Sequence, residues 1–325
     1  MSEVFCLSSE YSSTRRVTQT MPTLSNVLDE KCESILFLPP EPQRKGEGGL
    51  RRQGYFKVGS CGIHAAFAMK AKPLITVITV VFNGAKTLEQ TIQSVISQSY
   101  DNVEYVILDG GSTDGTLDII RKYEHAIDYW VSEKDSGIYD AMNKGIRITA
   151  GDWVNFMNAG DLFYSPDTIK RIFDCVLGDE KIIYGNVHIR YEDFTRVETA
   201  RSPRKLWRGM QFCHQSIFCD VGYHKKNLFN IENSVCADLE FYYKAYKGDV
   251  NFKYAPVIVS SVDVGGVSES NRLRTLKLAY TAVRRGGALP IVRLYYFYKY
   301  IDTRFRSYLK LILPESLIKK IIKCK

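Results

Sequence analysis

The sequence predicts a doubly wound α/β fold with a mostly parallel sheet, and three observations predict it. Strand-length runs of apolar and β-branched residues recur, stretches of helical spacing separate them, and Asn or Asp follows the strand ends. LITVITVVF (Leu74 to Phe82) is nearly all apolar, which suits a strand buried on both faces of a parallel sheet. Asn83-Gly84 breaks it, and Lys86 to Gln98 then carries Leu88, Ile92, Val95 and Ile96 at helical spacing. VEYVILD (Val103 to Asp109) is the second strand, followed by Gly-Gly-Ser, and Asp114 is placed to cap a helix from Gly115 to Tyr123. A short strand (Tyr129 to Val131), a loop (Glu133 to Gly137), a helix through Ile146 and a strand in DWVNFMN (Asp152 to Asn158) continue the alternation.

Beyond Pro166 the pattern predicts a helix from Thr168 to Val176 and strands near Ile182 to Tyr191 and Gln215 to Cys219. A helix from Asp238 to Tyr246 and a last strand from Tyr254 to Val262 follow. Helical segments from Asn271 to Arg285 and from Pro290 onward close the chain. Residues 1–72 lack this periodicity and hold Pro39-Pro40, Pro42, Gly46, Gly48 and Gly49, so they read as an extended, partly ordered arm. Within the arm, RKGEGGLRRQGYFK (Arg44 to Lys57) has two readings: a turn that packs Tyr55 and Phe56 on the domain, or a cationic Gly-rich loop that grips phosphate.

Composition excludes several classes. With 45% hydrophobic and 25% charged residues the chain is neither disordered nor fibrous. Its cysteines, at 6, 32, 61, 175, 213, 219, 236 and 324, form no C-x-x-C pair, which fits a reducing compartment. No signal-peptide pattern and no span-length apolar run is visible, so a cytoplasmic protein is expected. The net charge of +8 is uneven: residues 271–325 carry 14 Lys or Arg against 2 acids, leaving the other 270 residues mildly acidic at −4. A basic tail on an acidic body points to a surface partner for the tail and argues against nucleic acid.

The polar strand ends converge on one edge of a parallel sheet, where ligands of such folds gather. Asn83 follows the first strand, Asp109 ends the second, Asp135 lies in the third loop, and Asn158 and Asp161 follow the fourth. Carboxylates and amides on one edge suit a nucleotide base, a ribose and a divalent cation, because base N–H and hydroxyl groups donate to them and hard cations prefer oxygen.

LITVITVVFNGAKTLEQTIQSVISQSYDNVEYVILDGGSTDGTLDIIRKY, continued by SEKDSGIYDAMNKGIRITAGDWVNFMNAGD, strongly resembles the N-terminal half of family 2 glycosyltransferases of the GT-A fold. The bacterial branch that builds surface polysaccharides such as O-antigen, capsule and colanic acid is especially similar. The resemblance covers Pro73 to Gly265 and implies a glycosyltransferase domain at 73–265. Its donor half is 73–161 and its acceptor half 162–265, and a basic, aromatic helical region (266–325) follows. It implies a GT-A nucleotide-diphospho-sugar transferase fold, with Asp109 recognising the base of a nucleotide-sugar donor, a UDP-sugar by default. Asn83, Asp135, Gly137 and Asn143 would surround the base, ribose and diphosphate. Asn158-Ala159-Gly160-Asp161 stands where the family carries its metal-binding D-x-D motif, a departure that leaves Asp161 as the main ligand of Mg or Mn, with Asn158 weaker.

In CADLEFYYK, Asp238 matches the family's acidic residue and is the expected general base of an inverting transfer, with a helix cap as its alternative; Glu240 is the weaker candidate. CHQSIFCD places His214 and Gln215 where the branch carries a similar His-Gln on the acceptor or diphosphate side. Trp207 stacks on a sugar or simply packs. The tail, LPIVRLYYFYKYIDTRFRSYLKLILPESLIKKIIKCK, suits the cytoplasmic face of the inner membrane and, with the resemblance, a lipid-linked saccharide acceptor. The alternative is a helix packed on the domain. A catalytically degenerate, glycosyltransferase-like binding protein is the competing reading of the whole chain. An NAD-dependent enzyme is excluded by the lack of G-x-G-x-x-G after the first strand.

Overall fold

The computed structural model describes residues 4, 6–7, 11–22, 34–57, 59, 72–174, 178–265, 272–287 and 290–312. The end of the helix expected at Thr168 to Val176, the first residue of the segment from Asn271, the tail beyond 312, and Cys32, Cys61, Cys175 and Cys324 lie outside them.

The strands are β1 (Gly46–Gly48), β2 (Ile75–Val81), β3 (Val103–Asp109), β4 (Tyr129–Ser132), β5 (Trp153–Phe156), β6 (Leu162–Phe163), β7 (Ile182–Arg190), β8 (Thr195–Glu198), β9 (Ile217–Asp220) and β10 (Phe252–Asp263). Among the described residues they form one sheet in the order β1-β4-β3-β2-β5-β9-β7-β10-β6, with β8 paired to β7. The central strands β4-β3-β2-β5 run parallel. Beyond β5 the sheet is mixed: β9 is antiparallel to both β5 and β7, while β7 and β10 are parallel. The expected α/β fold with parallel central strands is met, in a sheet that is mixed towards its edges.

Burial explains why the apolar runs become central strands. All seven residues of β2 and of β3 are buried. Along β2, Ile78 and Val80 enter one core layer while Ile75, Val77 and Val81 enter the other, as a pleated strand covered on both faces requires. The helix Leu88–Ile96 covers one face with Leu88, Ile92, Val95 and Ile96. The helix Ile138–Ile148 covers the other with Tyr139, Met142, Ile146 and Ile148. It approaches closely at Gly145, where a Cβ would fall 2.9 Å from Ile78 Cγ2. The strand expected from Gln215 begins instead at Ile217, and His214–Ser216 forms a single 3₁₀ turn before it.

The arm is built into the fold rather than lying over it. Its strand β1 pairs antiparallel with β4 at the sheet edge, and Leu50 and Phe56 are buried. Arg51 enters the interior and meets Glu104 of β3 at 2.5 Å, with both side chains essentially inaccessible. The remaining polar atoms are satisfied: Arg51 donates to the Leu36 and Ile148 carbonyls, and Glu104 accepts from the Thr76 hydroxyl and the Ala150 N–H. Burial alone would push the Glu104 carboxyl up, but Arg51 and these hydrogen bonds hold it below the usual carboxylate value. Arg44 pairs with Glu47 and Glu133, and Arg52 pairs with Glu47. The arginines of RKGEGGLRRQGYFK therefore pair with the segment's own Glu47 and with Glu104 and Glu133 of the domain. The packing reading of this segment holds, and its arginines are committed elsewhere than to phosphate.

Candidate active site

The carboxyl ends of β2, β3 and β4 carry a connected polar cluster. Asp109 is buried at the end of β3, where it accepts from the Ser112 N–H at 3.0 Å, the Ser112 hydroxyl and the Ser132 hydroxyl at 2.6 Å. Asn83, in a left-handed conformation after β2, donates its N–H to Ser112 Oγ at 2.7 Å and accepts from the Thr113 N–H at 2.9 Å. Asp114 does not take the expected cap position, which Gly115 occupies in a left-handed conformation; one residue before it, Asp114 accepts from the Thr116 N–H and hydroxyl. Asp135 folds over the same edge: its Oδ1 accepts from the Gly137 N–H, and its Oδ2 lies 2.6 Å from where a Cβ on Gly110 would sit. Gly137 has φ +115 and starts the helix Ile138–Ile148, a conformation L side chains rarely adopt.

One residue at this edge carries a signal that a search for polar strand ends passes over. Phe82 is 66% exposed directly after a wholly buried strand, and it borders Gly110. An exposed ring beside Asp109 and Asn83 offers a flat apolar face at the same edge.

The loop from Asn158 to Asp161 follows β5 and is held from three sides. Ala159 donates its N–H to Val80, Gly160 donates its N–H to the Thr91 hydroxyl, and Arg190 of β7 donates to the Gly160 carbonyl. Burial pushes the Asp161 carboxyl up to about 7, even though the Gln215 amide and Arg190 pull it down. Asn158 Oδ1 is buried without a hydrogen-bond partner. A desolvated carboxylate and an orphaned amide oxygen three residues apart fit a hard cation, which would satisfy both. Among the described residues no three His, Cys, Asp or Glu side chains cluster as a complete metal cage. Such a cation would therefore need oxygens from a ligand.

Asp238 lies in the first turn of the helix Ala237–Lys247, with its Oδ1 accepting from the Leu239 N–H at 2.8 Å. The Tyr139 hydroxyl approaches that oxygen at 3.0 Å, so the helix that starts at the donor edge touches Asp238. His214 Nδ1 is 3.9 Å from Asp238 Oδ2. The imidazole stacks on Phe156 at 5.2 Å between centroids, and burial lowers its pKa, keeping it neutral. Its neighbour Gln215 donates to Asp161 Oδ2 at 2.7 Å. Gln215 thus bonds one carboxylate while the His214 ring, whose nitrogens make no hydrogen bond among the described residues, lies near the other, and both residues sit in the 3₁₀ turn before β9. Tyr139 is a further residue missed in the sequence, because its role depends on a contact 99 positions along the chain.

Three named residues are engaged elsewhere. Asn143 is buried and both ends of its amide bond the Phe229 backbone, at 2.9 Å each, so it fastens the loop before Asp238 instead of facing the donor edge. Trp207 packs edge-on against Tyr295 of the C-terminal helix, with the Arg208 guanidinium 4.5 Å over its ring; of its two readings, packing is the one observed. Glu240 is buried and bonded to Lys244 and Asn230, a structural role. A cleft of about 600 Å³ on the arm, lined by residues such as Phe37, Pro40, Lys45 and Arg52, contains none of the candidate site residues.

Comparison with known proteins bears on the fold and the family. The solved structure of Staphylococcus aureus TarS (residues 1–349) with UDP superposes with a TM-score of 0.51 at 15% identity, covering 72% of each chain. The mannosyltransferase PcManGT from Pyrobaculum calidifontis, in complex with GDP-Man and Mn²⁺, gives 0.53 at 19% identity over 69% of this chain and 67% of that one. Both likenesses are to the GT-A-like fold. A PGL/p-HBAD biosynthesis glycosyltransferase of Mycobacterium bovis is 31% identical over 211 residues, which is 62% of this chain and 81% of that protein. With the model of "Glycosyl transferase family 2" matching residues 76–229, the chain belongs to glycosyltransferase family 2 and is a glycosyltransferase.

Proposed function

We propose that the enzyme transfers a sugar, with inversion, from a nucleotide-diphosphate donor to a lipid-linked saccharide during synthesis of a bacterial surface polysaccharide. The observation that carries this reading is the His214-Gln215 turn, where Gln215 bonds Asp161 and the His214 ring lies 3.9 Å from Asp238, so that the two carboxylates flank one short segment. Asp109 faces the base, Phe82 stacks on it, and Asn83 and the Asp135–Gly137 loop border the ribose and diphosphate. Asp161, with the unpartnered Asn158 Oδ1 three residues before it, would hold Mg²⁺ or Mn²⁺. When bound, that cation neutralises the diphosphate leaving group. Asp238 accepts the proton of the acceptor hydroxyl as its oxygen bonds the anomeric carbon on the face opposite the diphosphate. The anomeric carbon–oxygen bond breaks and the nucleoside diphosphate departs with the electron pair. Tyr139 orients the base, and neutral His214 packs beside it. UDP-sugars are the favoured donors, in line with the UDP-bound fold relative, and the M. bovis relative's name also points to cell-envelope glycans. Thermal unfolding with UDP, GDP and dTDP tests the donor half. At least one should stabilise the protein in a Mn²⁺-dependent way that Asp161→Asn removes; stabilisation unaffected by cation and by that substitution would refute the metal role.

The acceptor's lipid implies a membrane-facing surface, and the helix Pro290–Ile312 supplies one. Val292 and Tyr296 anchor it to the domain at 3% and 6% exposure, whereas Leu294, Phe297, Tyr298, Phe305 and Tyr308 are each 59–70% exposed along one side. Arg293 and Arg304 flank this side. No described helix is long and apolar enough to cross a membrane. An exposed apolar side flanked by arginines supports a helix that lies in the interface. Through Tyr295 it touches Trp207 and the Arg208 carbonyl, in the segment leading to His214. Replacing Leu294, Phe297 and Phe305 with Ser should lower partitioning onto vesicles containing phosphatidylglycerol by about one to two orders of magnitude without altering thermal stability. Unchanged sedimentation would remove this helix as the anchor.

A further inference from the structure

We propose that Lys45, outside the family-matched segment, is a positioning residue for the nucleotide-base subsite. The inference rests on the reading of Asp109 as the base-facing group. Among the described residues the Asp109 carboxylate accepts from Ser112 on the loop after β3 and from Ser132 at the end of β4. Lys45 grips both. Its ammonium donates to the Gly111 carbonyl at 2.8 Å and the Ser112 carbonyl at 3.0 Å, and its backbone N–H donates to the Ser132 carbonyl at 2.7 Å. The same Ser112 hydroxyl accepts from the Asn83 N–H, so the Lys45 contacts reach the end of β2 as well. Lys45 is thereby a point at which the arm meets the ends of β3 and β4 directly and the end of β2 through Ser112.

The placement of Lys45 is fixed by its neighbours and not by the ammonium. Arg44 is pinned to Glu133 and Glu47 on one side, and β1 pairs with β4 on the other. The Lys45 side chain is exposed, and an ammonium open to solvent contributes little to folding even though the Ser112 carbonyl it reaches is partly buried. What it contributes is a fixed loop: Gly110 and Gly111 give this segment backbone freedom, and Gly111 is at φ +84. Without the ammonium, Ser112 samples conformations in which Asp109 loses two of its three hydrogen bonds.

The test is calorimetric binding of UDP, GDP and dTDP, taking whichever the wild type binds most tightly, with inorganic pyrophosphate as the probe that lacks a base. Lys45→Met should weaken the nucleotide about five- to tenfold while leaving pyrophosphate affinity and the melting temperature within error, and Lys45→Arg should restore most of the loss. Unchanged nucleotide affinity in Lys45→Met, or equal losses for nucleotide and pyrophosphate, would overturn the proposal. Asp109→Asn separates the two layers. If it leaves nucleotide binding intact, the base-facing reading of Asp109 fails, and the Lys45 proposal falls with it. If it weakens binding while Lys45→Met does not, only the role of Lys45 fails.

Discussion

Asp238→Asn is expected to lower kcat about 10²- to 10⁴-fold, the range associated with removing a general base. The substitution is close to isosteric, and the fold has no reason to reject it. The oxygen that accepts from the Leu239 N–H and faces the Tyr139 hydroxyl is retained as an amide oxygen. What disappears is the proton-accepting oxygen on the His214 side. Donor affinity should hold, since the donor-edge cluster around Asp109 and the Asn158–Asp161 loop does not touch Asp238 directly. A loss confined to kcat would mark the residue as acting in the reaction. A variant with wild-type kcat would reduce Asp238 to a first-turn residue of its helix.

The second large effect concerns stability. Glu104→Gln should destabilise the protein by about 3–5 kcal/mol, because it strands the Arg51 guanidinium in the interior. In a chain of this size that corresponds to a fall of about 4–7 °C in Tm. The double variant Arg51→Met with Glu104→Leu should recover much of the loss, since removing both charges also removes their desolvation cost. The pH dependence has a definite sign. The folded Glu104 carboxyl sits below its ordinary value of 4.5, so its contribution is complete above that pH and is lost as the pH falls through the folded value. Urea titrations of the single and double variants, at neutral pH and again at acid pH, measure both effects; a change under about 1 kcal/mol in Glu104→Gln would show that the arm is not locked by this pair.

The donor half was legible because local rules suffice there. Buried parallel strands write themselves as unbroken apolar runs such as Leu74 to Phe82, and the polar residues ending them share an edge by topology alone. Contacts between distant segments left weaker traces. Nothing near Asn143 shows that its amide is consumed by Phe229, and nothing near Trp207 shows that a helix 88 positions later covers it. The arm was harder still. Its Gly and Arg residues look like anion-binding chemistry locally, but their partners, Glu104, Glu124 and Glu133, are contributed by the domain. Gln215 was placed on the acceptor side by resemblance, yet its bond to Asp161 depends on the single turn before β9, which interrupts what reads as strand.

The most direct test of the central claim, that Asp161 and Asp238 act on one nucleotide sugar from the two sides of His214-Gln215, is nucleoside diphosphate release from a panel of UDP-, GDP- and dTDP-sugars. It is measured with a polyprenyl-linked saccharide acceptor, with Mn²⁺ or with a chelator. At least one donor should be turned over in Mn²⁺ only, with Asp161→Asn losing donor binding and Asp238→Asn losing turnover while still binding the donor. Turnover that survives both the chelator and the two substitutions would contradict the account.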